Sequence, residues 1–262
     1  MMRVIMDEVF HYSPVDVMLR EDNELPSFAP ERLDAILTRL ERHEPLQYIL
    51  GTARFHGHSL LVTPATLIPR PETEHLVDMA VADAGSRSDL RVLDIATGSG
   101  CIAVALARAL HFPVIDAIDI SDEALAVARQ NAARLKVRIN FAHGDALALT
   151  PPREPCYDII VSNPPYVGNS EAADMEPNVL QYEPHLALFV PDDDLLRFYR
   201  PIVAYAAGAL ERGGRLYLEI NRRCGDAVAR LLEANGFAGI DITRDAYGNT
   251  RYATAMRPTR DW

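Results

Sequence analysis

Short apolar runs alternate with amphipathic segments between residues 91 and 256. Apolar runs bounded by turn residues are typical of buried strands, whereas apolar residues three or four positions apart indicate helices. Because parallel strands joined by helices are covered on both faces, this order predicts an α/β fold with a doubly wound, mostly parallel seven-stranded sheet. The predicted strands are RVLDIA, VIDAIDI, RINFAHGDA, YDIIVS, RLYLEI and an antiparallel edge pair at 239–243 and 251–256, and the predicted helices are 99–110, 122–135 and 225–235.

The N-terminal part of the chain has a different pattern. Before a helical stretch, residues 21–30 contain prolines and acids and are predicted to form a turn or exposed loop. We place a boundary near residues 44–51, so that residues 1–50 form a short helical module with a linker and residues 51–262 form the main domain. Apolar residues recur at helical spacing in the module at Leu33, Ile36, Leu37 and Leu40.

Three further local patterns predict structure in the main domain. Weak alternation over residues 55–62 indicates a hairpin. Pro71 is predicted to open a helix over 72–84, since proline is favoured at the first helical position and acids follow it. A glycine-containing turn is predicted at 211–214, directly before the strand RLYLEI.

Composition narrows the class of protein. Hydrophobic residues make up 48% and charged residues 24% of the chain, and no apolar run approaches the roughly 20 residues of a bilayer helix. We read no signal peptide at the N-terminus and therefore expect a soluble, cytoplasmic, reduced protein with three isolated cysteines. The net charge of −11 argues against a broad nucleic-acid-binding surface, because such surfaces need clustered Lys and Arg. A protein substrate is easier to accommodate.

Acids and glycines follow the first three predicted strands. The first strand leads into the turn DIATGSG, the second ends at Asp119 and the third at Asp145. Ligands of open α/β sheets collect at such strand ends. A glycine-rich turn alone is weak evidence, because many such turns need glycine for geometry only, and each acid could be a solvated cap. Together they suit a cationic sulfonium that carries an adenosine, and a GxxxxGK[ST] phosphate loop is absent from the sequence. The residues of the turn are Asp94, Ile95, Ala96, Thr97, Gly98, Ser99 and Gly100.

The motif SNPPY ends the fourth predicted strand. Its prolines lack N–H donors and hold the nearby carbonyls rigidly, so Asn163 and Pro164 could each accept one hydrogen bond from a planar NH₂ group. Pro165 stiffens the corner, and the ring of Tyr166 is expected to close the pocket. The alternative is a proline-rich turn that merely ends a strand.

These motifs carry a family resemblance. NPPY with DIATGSG upstream is similar to class I, Rossmann-like methyltransferases that act on glutamine amides or on adenine and cytosine amino groups. The segments TLIPRPETE at residues 66–74 and EPLQYILG at 44–51 resemble the peptide chain release factor N5-glutamine methyltransferase (HemK/PrmC) family. The resemblance runs from about Glu44 to Met256.

The resemblance implies methyl transfer from S-adenosylmethionine, without a metal, to the glutamine of the Gly-Gly-Gln motif in release factors. It implies a protein substrate, no nucleic-acid or membrane partner and a monomeric enzyme, with the N-terminal module docking the release factor. Residues 163–166 fall on the glutamine pocket. Arg70 and Glu72 match a segment at its rim, with an ion pair that braces the turn as the equally plausible role. The positions that match cofactor-binding residues are Ala96, Thr97, Gly98, Ser99, Gly100, Asp119, Ala146 and Asn163.

The chain departs from the family pattern at three places. Ala96 stands where the turn usually begins with glycine, which restricts the backbone and could weaken cofactor binding. Only about 45 residues precede the linker, whereas family members usually carry a longer N-terminal helical domain. Asn221 stands where glycine is common, and we attach no function to it.

Three other functions remain open on the sequence alone. NPPY equally permits a nucleic-acid amino-methyltransferase, and a glutamine methyltransferase acting on a ribosomal protein lies between the two. A catalytically weak protein that binds S-adenosylmethionine is the third. His56 and His58 have a possible metal-ligand spacing but lack supporting ligands, and residues 183–185 and 192–194 are expected to be loop or cap residues.

Overall fold

The N-terminal module packs helices around a small apolar cluster. The computed structural model describes residues 2–10, 12, 15 and 29–259, so most of the loop predicted at 21–30 lies outside the described residues. The helices α1 (Met2–Phe10) and α2 (Ala29–Glu41) bring Ile5 and Ile36 together. A short helix, α3 (Leu46–Leu50), follows.

A two-stranded hairpin connects the module to the main domain. Strands β1 (Thr52–Phe55) and β2 (His58–Leu61) pair antiparallel, as the sequence predicted for this region. His56 and Gly57 form the turn, with φ angles of 47° and 76°. Positive φ at both positions is the geometry that matches the twist of a two-residue hairpin. Helix α4 (Pro71–Ala84) then begins at the predicted proline.

The central sheet has seven strands among the residues that the structure describes, in the order β10-β11-β9-β6-β3-β4-β5. In this part of the chain, β11 runs opposite to the other six strands and pairs antiparallel with β10 and β9, while the remaining pairs are parallel. The doubly wound, mostly parallel fold predicted from the sequence is confirmed. The strands are β3 (Arg91–Ile95), β4 (Val114–Asp119), β5 (Asn140–His143), β6 (Tyr157–Ser162), β9 (Leu210–Glu219), β10 (Ala238–Arg244) and β11 (Thr250–Met256).

Helices cover both faces of this sheet and create two cores. Leu76, Val92 and Leu106 belong to one buried cluster, and Ile160 and Ile202 belong to the other. The helices of the main domain after α4 are α5 (Cys101–Ala109), α6 (Asp122–Arg134), α7 (Pro177–Tyr182), α8 (Tyr199–Ala209) and α9 (Gly225–Ala234). A small pair, β7 (Val167–Gly168) and β8 (Phe189–Val190), lies outside the central sheet. No helix in the described part of the chain is long and apolar enough to cross a membrane.

The turn predicted at 211–214 is a bulge inside β9. The pairing of β6 with β9 jumps from Tyr157 opposite Leu210 to Ile159 opposite Arg215, so extra residues are accommodated on β9. Gly213 has a φ of 79°, and a side chain on Gly214 would come within 2.9 Å of the Glu211 carbonyl oxygen. The glycines thus serve a bulge, and the strand continues on both sides of it.

Candidate active site

A cavity of about 340 Å³ opens at the carboxyl ends of β3, β4, β5 and β6. Its size is that of a small-molecule site. The residues singled out from the sequence that line it are Arg70, Ala96, Thr97, Gly98, Ser99, Asp119, Asp145, Ala146, Asn163 and Pro165. Among the described residues, the lining does not include Glu72, Asp94, Gly100, Pro164 or Tyr166. The functional roles given to all of these residues remain predictions.

The turn after β3 adopts left-handed backbone conformations. Ala96, Gly98 and Gly100 have φ angles of 60°, 56° and 79°. The Thr97 amide donates to the Ile118 carbonyl at 3.0 Å, and the Gly98 amide donates to Asp119 Oδ2 at 2.8 Å. These bonds join the turn to the end of β4.

Asp94 lies buried beneath this turn and is 0% exposed. Its Oδ2 accepts from Thr97 Oγ1 at 2.6 Å and from the Ala103 amide at 3.2 Å. Its Oδ1 is buried and has no hydrogen-bond partner within the described chain. Burial raises the pKa of the Asp94 carboxyl to about 7, against the opposing effect of the Thr97 and Ala103 hydrogen bonds. A cation above the turn would stabilise the ionised form.

Two more carboxylates line the cavity, Asp119 at the end of β4 and Asp145 shortly after β5. Asp119 accepts from the Gly98 and Ser121 amides, and burial raises its pKa in spite of these bonds. Asp145 Oδ1 accepts from the Leu147 amide at 2.8 Å. Carboxylate oxygens keep further lone pairs after such bonds, so both acids can still accept from a ligand.

Apolar side chains accompany these acids in the cavity lining: Ile120, Ala146 and Leu147. A flat heterocycle would contact this apolar surface, while its ribose hydroxyls and amino group would meet Asp119 and Asp145. The buried, partnerless oxygen of Asp94 and the three acids suit a cationic adenosine derivative better than a phosphate ester. The residues present therefore fit S-adenosylmethionine.

Asn163 lies directly after β6 and faces the cavity half-buried. Its Nδ2 donates to Thr73 Oγ1 at 3.1 Å, and the Thr73 hydroxyl donates to Glu219 Oε2 at 2.7 Å. With the amide nitrogen engaged by Thr73, the Oδ1 end of Asn163 is left as an acceptor. The preceding Ser162 anchors the strand end by donating to the Ile95 carbonyl at 2.7 Å.

The ring of Tyr166 was predicted to close the pocket, but among the described residues Tyr166 does not line the cavity. Its hydroxyl donates to Glu219 Oε1 at 2.8 Å and accepts from Arg251 Nη1 at 3.1 Å. Its carbonyl accepts from Asn221 Nδ2 at 2.9 Å. These bonds connect both polar groups of Tyr166 to residues at the end of β9 and on β11. Asn221, to which the sequence analysis attached no function, thus helps to fix the corner.

Comparisons with known proteins identify the family. A family model described as Methyltransferase small domain matches residues 73–181, and one described as PrmC N-terminal domain matches residues 1–51. A release factor glutamine methyltransferase from Bacteroides thetaiotaomicron is 44% identical over 243 residues, which cover 93% of this chain and 87% of that protein. One from Flavobacterium psychrophilum is 44% identical over 251 residues, covering 94% and 88%.

The chain belongs to the release factor glutamine methyltransferase family. The resemblance stated from its motifs is confirmed. A solved structure of a ribosomal protein L11 methylase from Lactobacillus delbrueckii subsp. bulgaricus has the same fold, with a TM-score of 0.54 and 21% identity, over 75% of this chain and 84% of that one. This glutamine methyltransferase family member is therefore an enzyme with a class I methyltransferase domain.

Arg70, in the family segment TLIPRPETE, pairs with Glu183 rather than with Glu72. Arg70 Nη2 lies 2.6 Å from Glu183 Oε1, and Glu183 Oε2 accepts from the Ile68 amide at 3.0 Å. The Glu183 side chain is 1% exposed. Glu72 contributes its carbonyl, which accepts from the Tyr252 hydroxyl. Glu183, expected to be a loop or cap residue, ends α7 and also ties this family segment to the loop after that helix.

Sequence reasoning missed three residues that organise the site: Thr73, Glu183 and Glu219. Their partners are 53 to 146 residues away along the chain, so no local pattern could pair them. Thr73 and Glu183 do occur within or beside motifs that the sequence analysis singled out. Glu219 offered one signal, because it ends an apolar strand whose carboxyl end lies near that of β6.

Proposed function

We propose that the protein transfers a methyl group from S-adenosylmethionine to the side-chain amide nitrogen of the glutamine in the Gly-Gly-Gln motif of a peptide chain release factor. The supporting observation is the orientation of Asn163, whose Oδ1 is left as an acceptor in the same cavity as the glycine-rich turn. The names of the relatives supply the substrate.

Residues 94–100, Asp119, Asp145 and Ala146 would hold the cofactor, which supplies an electrophilic methyl group. The two acids at the strand ends accept from its hydroxyls and its amino group. The buried carboxylate of Asp94 favours its positive charge. Excluding water from this cavity strengthens these electrostatic interactions.

Asn163 and Pro164 orient the substrate amide. Asn163 Oδ1 accepts one N–H, and the Pro164 carbonyl accepts the other, so the nitrogen lone pair is directed at the methyl carbon. A neutral amide nitrogen is a poor nucleophile, and two acceptors stabilise the positive charge that develops on its hydrogens. The bound cofactor would supply the methyl group to this nitrogen and retain the sulfur as the leaving group, and the displaced amide proton would leave to solvent.

Three further properties belong to this proposal. The protein acts in the cytoplasm, where release factors work, and it acts as a single chain. The module of residues 1–50 docks the release factor, and residues 51–262 carry the chemistry. Which release factor is bound is decided outside the cavity, since the glutamine pocket reads only an amide.

Methyl-labelled cofactor tests the proposal when it is offered with a release factor, with the same factor carrying Ala in place of the motif glutamine, with ribosomal proteins and with DNA. We expect label on the unaltered release factor alone. Asn163→Ala should abolish transfer while the dissociation constant for the cofactor changes by less than about tenfold, because it removes an acceptor from the nucleophile only. Label on DNA or on a ribosomal protein, or full turnover by the variant, would overturn the assignment.

A further inference from the structure

The end of β9 carries a buried carboxylate that the proposed chemistry does not use. Glu219 is 2% exposed, and among the described residues it does not line the cavity. Both of its oxygens accept from hydroxyl groups, Oε2 from Thr73 and Oε1 from Tyr166. Burying a carboxylate costs free energy unless it is hydrogen-bonded, and the two hydroxyl donors offset that cost for Glu219.

We propose that Glu219 is a positioning residue that acts through Thr73 to fix which end of the Asn163 side-chain amide faces the substrate. The inference rests on the proposed function, because the orientation of that amide matters only if Asn163 accepts from a substrate N–H. It adds to that function the residue that sets the polarity of the amide-binding pocket.

Proton counting gives the direction of this relay. Burial raises the pKa of the Glu219 carboxyl, while the hydrogen bonds from Thr73 and Tyr166 and the charge of Arg251 oppose that rise. Because both oxygens accept from hydroxyl groups, Glu219 acts as a carboxylate with no proton to give, and the Thr73 hydroxyl donates its single proton to it. Thr73 Oγ1 can then only accept from its other neighbour, which must present an N–H. Asn163 therefore turns Nδ2 toward Thr73, at 3.1 Å, and turns Oδ1 away from it. The acceptor in the cavity is thus a consequence of a charge on another strand.

The second oxygen of Glu219 is held by a similar chain of donors. Tyr166 donates to it at 2.8 Å, and Arg251 donates to the Tyr166 oxygen at 3.1 Å. Arg251 in turn pairs with Asp245 at 3.1 Å. Both oxygens of Glu219 thus meet donors, which is a site for a carboxylate and not for a carboxamide.

A Glu219→Gln side chain keeps the shape but must place an NH₂ group against one of the two hydroxyls. Against Thr73, it donates to Oγ1 and frees the hydroxyl proton, which then donates to Asn163 and turns that amide around. Against Tyr166, the tyrosine oxygen would receive two donors and its own proton would lose its acceptor, so the arrangement against Thr73 is favoured. The first arrangement puts an N–H of Asn163 opposite the N–H of the substrate, where the two repel.

The test compares four variants of the full chain in methyl transfer to a release factor and in cofactor binding. Glu219→Gln and Thr73→Val should each lower kcat at least about tenfold while cofactor affinity stays within about threefold, since each disturbs the orientation of the Asn163 acceptor that the transition state needs. Thr73→Ser keeps the hydroxyl and should recover most of the activity that Thr73→Val loses. Thermal melts of all four show whether the variants are folded.

Asp83→Asn is the matched control. Asp83 lies near the C-terminal end of α4 and accepts from the Tyr217 hydroxyl at 2.7 Å and from Arg215 at 2.9 Å, so it is also a carboxylate that meets a tyrosine and an arginine, both on β9. It does not touch the cavity in the described chain. Its kcat should equal that of the wild type. If Glu219→Gln lowers kcat no more than Asp83→Asn does, the relay is refuted.

A spectroscopic measurement separates this inference from the proposed function. In the folded wild type, the side-chain NH₂ protons of Asn163 should show a nuclear Overhauser contact to the Thr73 methyl group, and Glu219→Gln should remove it while Asp83→Asn keeps it. Persistence of that contact in Glu219→Gln overturns the relay. Absence of label transfer by the wild type overturns the proposed substrate alone, because the Overhauser contact does not depend on it.

Discussion

Ala96 has a φ of 60°, in the left-handed region that disfavours a side chain. A non-glycine residue there costs roughly 1 kcal/mol because its Cβ approaches the carbonyl oxygen. The sequence predicted a restricted backbone at this position from the alanine alone. In the structure the turn has the left-handed conformation that favours glycine, so Ala96 lowers the stability of the folded state by about that amount.

Ala96→Gly should therefore raise the free energy of unfolding by about 0.5–1 kcal/mol, because relief of the strained conformation exceeds the extra chain entropy of glycine. Denaturant titration measures it. The matched control is Ala107→Gly in α5, which should lower the free energy of unfolding by about 1 kcal/mol. Destabilisation by Ala96→Gly equal to that of the control would contradict the strain.

Asp94 makes the stability of the cofactor-free protein depend on pH. Its pKa rises from a usual value of 3.8 to about 7 because the carboxyl is buried. Between pH 3.8 and pH 7 the Asp94 carboxyl is ionised in the unfolded chain but protonated in the folded chain. The contribution of Asp94 to the free energy of unfolding is therefore fully present below pH 3.8 and is lost as the pH rises through about 7.

Asp94→Asn cannot ionise and should escape this loss. We expect the melting temperature of the variant, relative to that of the wild type, to be higher at pH 8 than at pH 5 by at least about 2 °C. Scanning calorimetry of both proteins at both pH values measures the difference, and the other titrating groups cancel between them. An equal gap at the two pH values would rule out a raised pKa at Asp94.

Residues of the candidate site could be predicted from the sequence where they belong to a recognisable motif. The cavity brings together Asn163, the turn from Ala96 to Ser99 and both strand-end acids, as motif spacing and strand ends predicted. The Tyr166 ring and the Glu183 carboxylate could not be placed, because their directions depend on partners that are distant in sequence. Hydrogen bonds of that kind leave no periodic signal.

Helices and strands could likewise be predicted where their own sequence carries the signal, and less well where contacts with distant segments decide their shape. The predicted strands and helices from β3 to β5 are confirmed within a few residues, since each has its own apolar period. Helix α8 (Tyr199–Ala209) was not predicted, although Tyr199, Ile202, Val203 and Ala206 are buried at helical spacing. The turn predicted at 211–214 is a bulge, because the strand partners of β9 decide its shape.

Helix α6 holds the hairpin and the glycine-rich turn in place through one side chain. Asn131 is 1% exposed and exchanges two hydrogen bonds with the backbone of Leu61, at 2.6 Å and 3.0 Å. Its Nδ2 also donates to the Ser99 carbonyl at 2.9 Å. One residue thus satisfies three backbone groups on two separate segments.

Asn131→Ala should lower the free energy of unfolding by about 2–3 kcal/mol, because it leaves buried backbone groups unpaired. Gln130→Ala, exposed on the same helix, should change it by less than about 0.5 kcal/mol and is the control. Urea unfolding of both variants measures the difference. Equal effects from the two substitutions would show that solvent satisfies the groups that Asn131 contacts.

The whole molecule contains an N-terminal cluster that is separate from the two cores of the main domain. Its few buried side chains, among them Ile5, Val9 and Ile36, bury less apolar surface than either core. Regions with few buried contacts open at lower free energy than the core strands. We expect the module to open without the sheet.

Ile36→Ala should speed amide hydrogen exchange in α2 while leaving exchange in β3 and β6 and the cofactor dissociation constant unchanged. Leu37→Ala, at a neighbouring side chain that is 42% exposed, is the control and should leave exchange in α2 close to that of the wild type. Mass spectrometry of exchanged peptides reads all three segments. Faster exchange in β3 after Ile36→Ala would mean that the module and the sheet unfold as one unit.

The contact between Thr73 and Glu219 spans 146 residues. During translation, the glycine-rich turn and Asn163 leave the ribosome well before the strand that carries Glu219. A nascent chain that has not reached residue 219 lacks the carboxylate that accepts the Thr73 proton, so the proposed relay cannot yet orient Asn163. The proposed relay is therefore complete only after β9 has been synthesised.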